Sequence, residues 1–288
     1  MKINPKLSII IASFNTKDLL RQCLLSVYRF KKASDTWEVI VVDNASTDGT
    51  QEMIRKEFDK VHLLVQPVNV GFAAAINIGI RQSHKRYILL LNSDTEMKKD
   101  TITSSLRFLE ERQEVGVVTC KLVLADGSMD PACHRGFPTP WAAFCYFSGL
   151  ERFFPKSYLF AQYHQGFKDM TTPHEIDSPS GAFFMVRRTV IDSVGLLDEA
   201  FYMYGEDLDW SYRMKQAGWK IYYYPAVSVL HRKKQSGRDS DDPSLRRKTE
   251  TYFYDTMKLF YKKHYQHRYG WLVANLVQLG IRLRVSFL

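Results

Sequence analysis

The chain has 288 residues, of which 45% are hydrophobic, enough for one large globular domain or two small ones with a sizeable core. Its four cysteines, Cys23, Cys120, Cys133 and Cys145, form no C-x-x-C pair and no zinc spacing, so a zinc module is excluded and free thiols in a reducing compartment are expected. The net charge of +9 is uneven: residues 231–288 hold thirteen Lys and Arg against five Asp and Glu, which confines the basic character to a C-terminal segment.

In chain order, Leu7–Ala12 is an apolar run too short for a signal-peptide core and reads as a first strand. Ser13-Phe14-Asn15-Thr16 turns into a helix marked by Leu19, Leu20, Cys23, Leu24 and Val27 at helical spacing. A second strand, Trp37–Val42, ends in the polar loop Asp43–Gly49, followed by a helix over 50–58 and a short strand at Val61–Val65. Small residues pattern a helix over 71–83, and Tyr87–Leu91 reads as a strand buried on both faces. It stops at Asn92-Ser93-Asp94. Thr95 or Asp100 can open a helix near 100–112, and Val115–Cys120 is the next strand. Four rounds of strand and helix predict an α/β fold, with a Rossmann-like, mainly parallel sheet and helices on both faces. A nicotinamide-type unit is excluded because the loop after the first strand has no glycine, and no P-loop is present.

Beyond residue 120 the pattern changes. Ala125–Ser128 reads as a hairpin turn, and 131–180 as a long irregular span rich in Pro and aromatics. A turn and strand resume at Ser180–Val186, a helix runs from the 201–209 region to about 217, and two short strands flank Pro225. The expected division is a domain over 1–235, with a nucleotide-binding half at about 1–120 and an acceptor half at about 121–235, and a basic, aromatic helical tail over 236–288.

In a parallel sheet the polar clusters Ser13–Asn15, Asp43–Asp48 and Asn92–Asp94 meet at one edge, the carboxyl edge where ligands bind. An Asn-x-Asp triplet there could hold a divalent cation, and the cation a diphosphate; the other reading is a strand end and helix cap. Asp43 could accept from a pyrimidine N3–H, with main-chain groups near Ala12 and Ser13 completing recognition of the base. Asn69–Phe72 and Asn77 could close over base and ribose, Gly71 permitting close approach; these are also ordinary turn residues and an ordinary buried amide. Gly205-Glu206-Asp207-Leu208-Asp209-Trp210 places three acids at a helix start, where they complement the helix dipole. In apolar surroundings such an acid has its pKa raised and can serve as a general base. His231, ending a strand, could ligate a metal.

Segments 8–15, 41–50, 69–77, 90–95, 180–188 and 205–210, with His231, resemble in order the inverting family 2 glycosyltransferases of the GT-A fold, and among them the bacterial rhamnosyltransferase-like group that builds cell-surface polysaccharide. The resemblance covers about residues 5–235. It implies that Asp43 binds the nucleotide base and that Ala12, Ser13, Asn15, Gly71, Asn77 and Asn92 line the nucleotide. It implies that Asp94 binds Mg²⁺ or Mn²⁺ bridging the two phosphates, with His231 completing the metal site, and that Asp207 is the base in a single in-line displacement with inversion. Glu206 and Asp209 would orient Asp207 or bind sugar and acceptor hydroxyls, and Gly181 falls with the sugar-binding set. The chain departs from the family's D-x-D at Asn92, whose neutral amide favours a contact to nucleotide or sugar over metal ligation and points towards a deoxysugar donor such as dTDP-L-rhamnose.

Trp141 and Tyr146 are candidates for stacking on acceptor sugars, or else core or partner-subunit contacts in a homodimer. The tail pairs Phe253, Met257, Phe260 and Tyr261 with Lys258, Lys262 and Lys263, and Trp271–Leu288 is largely apolar but carries Arg282 and Arg284. This favours an interfacial helix at an anionic membrane surface over nucleic acid, and places the protein in the cytoplasm at the inner face of the cell membrane, where a lipid-linked acceptor would be met. Packing back on the domain is the alternative. Two other functions remain open: a nucleotidyltransferase, which lacks its glycine-rich basic loop here, and a nucleotide-sugar-binding protein without turnover.

Overall fold

The computed structural model of the chain describes residues 6–31, 37–233 and 243–286. Its first half follows the expected alternation: β1 (Leu7–Ser13), α1 (Lys17–Arg29), β2 (Trp37–Asp43), α2 (Thr50–Glu57), β3 (Val61–Val65), α3 (Phe72–Gln82) and β4 (Tyr87–Leu91). The four strands pair in parallel in the order β3-β2-β1-β4. Every residue of β4 is buried, as a strand covered on both faces must be. On α1 the apolar spacing turns Leu20, Cys23, Leu24 and Val27 into the core. On α3 the small residues let the helix approach the sheet closely: a Cβ at Gly79 would lie 2.4 Å from Ile10 Cγ2.

The chain continues through β5 (Thr95–Met97), α4 (Thr101–Glu111), β6 (Val115–Val123), α5 (Pro140–Ser148), α6 (Leu150–Phe153), β7 (His174–Ile176), β8 (Phe183–Arg187), α7 (Arg188–Val194), α8 (Glu206–Gln216) and β9 (Lys220–His231). The sheet has the order β3-β2-β1-β4-β8-β6-β9-β5, with β7 also on β9. It is the expected helix-flanked α/β sheet, but past β4 its direction is mixed: β8 is antiparallel to β4 and β6, β9 is parallel to β6, and β5 and β7 are antiparallel to β9.

Two local expectations change. The span 131–180 is not irregular throughout; it holds a 3-10 turn at Pro131–Cys133, α5, α6 and β7. Pro140 sits at the start of α5, where its missing N–H costs nothing, and Thr139 caps the helix by accepting from Ala142 N. Likewise Pro225 does not split β9. The register against β6 jumps from Cys120↔Tyr224 to Lys121↔Ser228, a bulge that absorbs the proline and lets one strand run on to His231.

The tail forms α9 (Pro243–His264) and α10 (Trp271–Ser286). The expected boundary at 235/236 lies outside the described residues, as do the side chains of Arg282 and Arg284. Helix α9 packs back on the domain, placing Phe260, Tyr261 and Tyr265 in an apolar cluster with Phe201 and Tyr212. Asp209 locks this contact. Fully buried, it accepts from Arg213 Nε at 2.9 Å and from His264 Nε2 at 2.8 Å, with Lys263 Nζ at 2.7 Å.

Burial alone would raise the pKa of Asp209, but the hydrogen bonds from His264 and Lys263 and the charge of Arg213 outweigh it and lower the pKa to about 2. A depressed carboxylate pKa stabilises the fold above its unfolded value and loses that contribution as pH falls through the folded value. The tail contact is therefore expected to hold down to about pH 4 and to be lost between about pH 4 and 2. Asp209→Asn is expected to cost about 3 kcal/mol at pH 7. Denaturant titration with near-UV circular dichroism as a function of pH checks both outcomes.

Candidate active site

The three polar clusters of the first half do meet at the carboxyl edge. Ser13 pairs with Asp43 in the β1–β2 register. Ser13 Oγ lies 3.0 Å from Thr16 Oγ1, which donates to Ser93 Oγ at 3.0 Å. Asn15 takes a left-handed φ of 51° and ties the first loop to the second: its N–H donates to Ser46 Oγ and its Oδ1 accepts from Thr47 N. Asp43 is fully buried. Its Oδ2 accepts from Gln51 Nε2 at 2.8 Å and from Ser46 N at 3.2 Å, while its Oδ1 is buried with no partner. Ala12 is half-buried at the end of β1.

A cleft of about 570 Å³ opens beside this edge, and Asn92, Asp94, Gly181, Glu206, Asp207 and His231 all line it. The topology explains their convergence. Antiparallel pairing of β4 and β8 sets the residues before Phe183 beside those after Leu91, so that Asn92 N donates to Ala182 O and Gly181 lies alongside. Antiparallel pairing of β5 and β9 brings Thr95 opposite His231, and Arg232 N donates to Asp94 O at 2.8 Å.

His231 bridges two carboxylates. Its Nδ1 is 2.8 Å from Asp130 Oδ2, and its Nε2 is 3.3 Å from Asp94 Oδ1. The second contact is an ion pair whose alignment falls short of a hydrogen bond, leaving Asp94 Oδ1 buried with unspent acceptor capacity. Burial opposes the imidazolium, yet the hydrogen bond to Asp130 and the negative charge of Asp94 prevail and raise its pKa to about 9. Asp130 is fully buried, also accepts from Ala132 N and pairs with Lys233 at 3.0 Å. Among the described residues no group of three His, Cys, Asp or Glu could hold a metal by itself. The pair present does fit Mg²⁺ or Mn²⁺ arriving with a diphosphate, provided the metal displaces the Nε2 proton of His231: a carboxylate oxygen with spare capacity, an imidazole oriented from behind, and remaining positions open to phosphate oxygens. The neighbouring Asn92 Oδ1 is also buried and unpartnered.

Asp207 is held differently from expectation. Its Oδ2 accepts from Arg135 Nη2 at 2.7 Å and its Oδ1 from Leu208 N at 2.7 Å. Arg135 also donates to Pro179 O and shares its guanidinium with Tyr163. The acid in apolar surroundings is instead Glu206, whose Oε2 is buried and unpartnered; burial and then the charge of Asp207 push its pKa up to about 8. Both acids are aimed into the cleft by two successive left-handed residues, Tyr204 at φ 71° and Gly205 at φ 77°. A Cβ at Gly205 would crowd Phe201 and Thr256.

Other expected site residues are committed elsewhere. Asn77 spends its amide on Leu197 N, Leu197 O and Glu199 Oε1, pinning that loop. Gly71 does permit a close approach, but the neighbour is Tyr202, whose carbonyl oxygen would lie 2.7 Å from a Cβ. Asp209 serves the tail contact and does not line the cleft. Trp141 stacks on Phe144, donates to Leu159 O and faces away from the cleft, whereas Tyr146 lines it. Reading the sequence missed Asp130 and Arg135. A signal existed for Arg135, the one Lys or Arg between Lys121 and Arg152; a cation isolated in so apolar a stretch calls for a buried carboxylate.

Because Glu206 is protonated in the fold and ionised when unfolded, wild-type stability should fall as pH rises from about 4.5 to about 8. Glu206→Gln mimics the neutral acid. It should be more stable than wild type by an amount that grows by about 1 kcal/mol per pH unit across that window, as read from urea midpoints.

Residues 8–195 match the family model for glycosyl transferase family 2. The chain is 29% identical over 215 residues to an N-acetylglucosaminyl-diphospho-decaprenol L-rhamnosyltransferase of Mycobacterium tuberculosis, covering 70% of this chain and 68% of that one. It is 24% identical over 229 residues to a low-salt glycan biosynthesis hexosyltransferase of Haloferax volcanii, covering 78% and 66%. Among solved structures, residues 1–349 of TarS from S. aureus superpose with a TM-score of 0.56 at 19% identity over 88% of this chain and 64% of that one. A mannosyltransferase of Pyrobaculum calidifontis, solved with GDP-Man and Mn²⁺, gives 0.58 at 16% identity over 99% and 84%. These likenesses show the shared fold. The chain belongs to glycosyl transferase family 2, the glycosyltransferases to which its motif order pointed.

Proposed function

We propose that this enzyme transfers a sugar with inversion from a nucleoside-diphosphate sugar, dTDP-L-rhamnose or a UDP-hexose, to a hydroxyl of a glycan or lipid-linked acceptor in bacterial surface polysaccharide synthesis. The observation that carries the reading is that Asp94 and His231 on one side, and Glu206 and Asp207 on another, line a single cleft at the carboxyl edge. The unpartnered Oδ1 of Asp43 supports base recognition, since a buried acceptor of that kind is costly unless a ligand's N–H completes it. Strands β2 and β4 are separated by β1 alone, about 10 Å by inter-strand spacing, which suits a base at one end and a diphosphate at the other.

Asp94 and His231 would hold Mg²⁺ or Mn²⁺, which when bound neutralises charge on the departing diphosphate. Asp130 fixes the imidazole of His231 from behind. Asn92 offers its amide to nucleotide or sugar. Of the two cleft acids, Glu206 is already protonated and cannot take a proton, so Asp207 is the base. Arg135 and Leu208 N orient its carboxylate, and each of its oxygens keeps a second lone pair for the acceptor hydroxyl proton. One base suffices, because a nucleoside diphosphate leaves without protonation, unlike the alkoxide of glycoside hydrolysis.

A peripheral contact of the tail with the inner face of the membrane is supported by exposed Trp271, Leu272, Leu276 and Leu279 on α10. Among the described residues no helix is long and apolar enough to cross a membrane. The exposed faces of Trp141 and Phe144 keep a homodimer contact as another use of that surface.

Asp207→Asn is expected to lower transfer at least about 10³-fold while nucleotide affinity stays within about twofold. Full turnover in this variant would contradict the assignment. Calorimetry with UDP, dTDP and GDP sugars, with and without Mn²⁺, should show one base preferred and Mn²⁺ tightening the complex. Asp130→Ala should weaken that Mn²⁺ effect by about tenfold or more.

A further inference from the structure

We propose that the wall of the cleft built by α9 and α10 is a groove for the apolar chain of an amphiphilic acceptor, whose hydroxyl-bearing head meets Asp207. This rests on the reading of Asp207 as the base.

Helix α9 is laid against the start of α8. Thr256 sits on Gly205, the Phe253 ring lies 6.4 Å from that of Tyr204, and Phe260 packs edge-on to Tyr212. The wall that begins at Glu206 and Asp207 is thereby continued by Phe253, Met257 and Phe260 from one face of α9, and by Val277 and Ile281 from one face of α10. Pro138, Pro140 and Ala143 line the same cleft.

The chemistry of this wall selects the occupant. A sugar subsite presents hydrogen-bonding groups and flat aromatic faces. Met257, Val277 and Ile281 have neither. The polar exceptions in the tail are few: Glu250, the Tyr261 hydroxyl, and Thr256, whose hydroxyl is spent on Phe253 O. An alkyl or isoprenoid chain is removed from water at such a surface and gains with each buried methylene. Continuity with the acids fixes the direction: a head group at Asp207 leaves its chain beside the tail helices. The outer side of α10, with Leu276 66% exposed, is a separate surface.

The test uses the full chain saturated with UDP or dTDP, whichever binds, and titrates farnesyl diphosphate and isopentenyl diphosphate by calorimetry below micelle formation. The two share a head group and differ in chain length. Farnesyl diphosphate is expected to bind at least about tenfold more tightly. The double variant Val277→Ser/Ile281→Ser, and independently Met257→Gln, should reduce that ratio to about threefold or less without changing nucleotide affinity. Leu276→Ser should leave the ratio intact. Equal affinities in the wild type, an unchanged ratio in both groove variants, or loss of the ratio in Leu276→Ser would overturn the proposal. If neither nucleotide binds, the transferase reading itself fails; if nucleotide binds and chain length has no effect, only the groove does.

Discussion

Three residues of antiparallel pairing, Thr95–Met97 against Val229–His231, are the constraint on which the polar edge depends. β4 ends in Asn92-Ser93-Asp94 and would carry these groups into solvent if the chain simply turned into a helix. The short β5 instead folds them against the end of β9. This pairing sets Asp94 beside an imidazole that lies more than a hundred residues away in sequence, and it explains why β9 must run unbroken past Pro225. If β9 ended at the proline, as its local pattern suggests, His231 would have no register. The bulge at residues 225–227 is thus part of the site's construction.

A second constraint is electrostatic. Glu206 and Asp207 are adjacent, largely buried and aimed into the same cleft, so both cannot ionise at low cost. Arg135 resolves the conflict by pairing with Asp207, and Glu206 keeps its proton. The arrangement gives two adjacent carboxyls different environments, one paired with a guanidinium and one buried without a partner. A similar economy operates at His231, where Asp130 supplies orientation from behind and Asp94 faces the cleft. In both cases a side chain lining the cleft is positioned by a residue from 130–135, the segment between the hairpin after β6 and α5.

How much of this was legible follows from how local each signal is. The first four strands and helices could be read residue by residue because buried parallel strands are unbroken apolar runs that stop at polar loops. The convergence of Asp43 and Asp94 at one edge followed from that topology. Legibility failed where a side chain's partner is remote. Asn77 has the composition of a ligand contact, yet its amide is satisfied by Leu197 and Glu199, some 120 positions on. Asp209 looks equivalent to Asp207 in sequence, but two steps along a helix turn it towards α9. Trp141 depended on the phase of a helix hidden behind proline punctuation; once α5 exists, its rotation sends Tyr146 to the cleft and Trp141 to the surface. Which of the three acids at the start of α8 is the raised one was not legible, because nothing near them in sequence announces Arg135.

The proposed single displacement at this cleft, with Asp207 as its base, fixes the stereochemistry of transfer. The most direct measurement is the anomeric configuration of the transferred sugar, followed by NMR from the first turnovers with the donor the enzyme prefers. A product of configuration opposite to that of the donor is expected. A product of retained configuration would contradict this mechanism, because a single in-line displacement always inverts the attacked carbon.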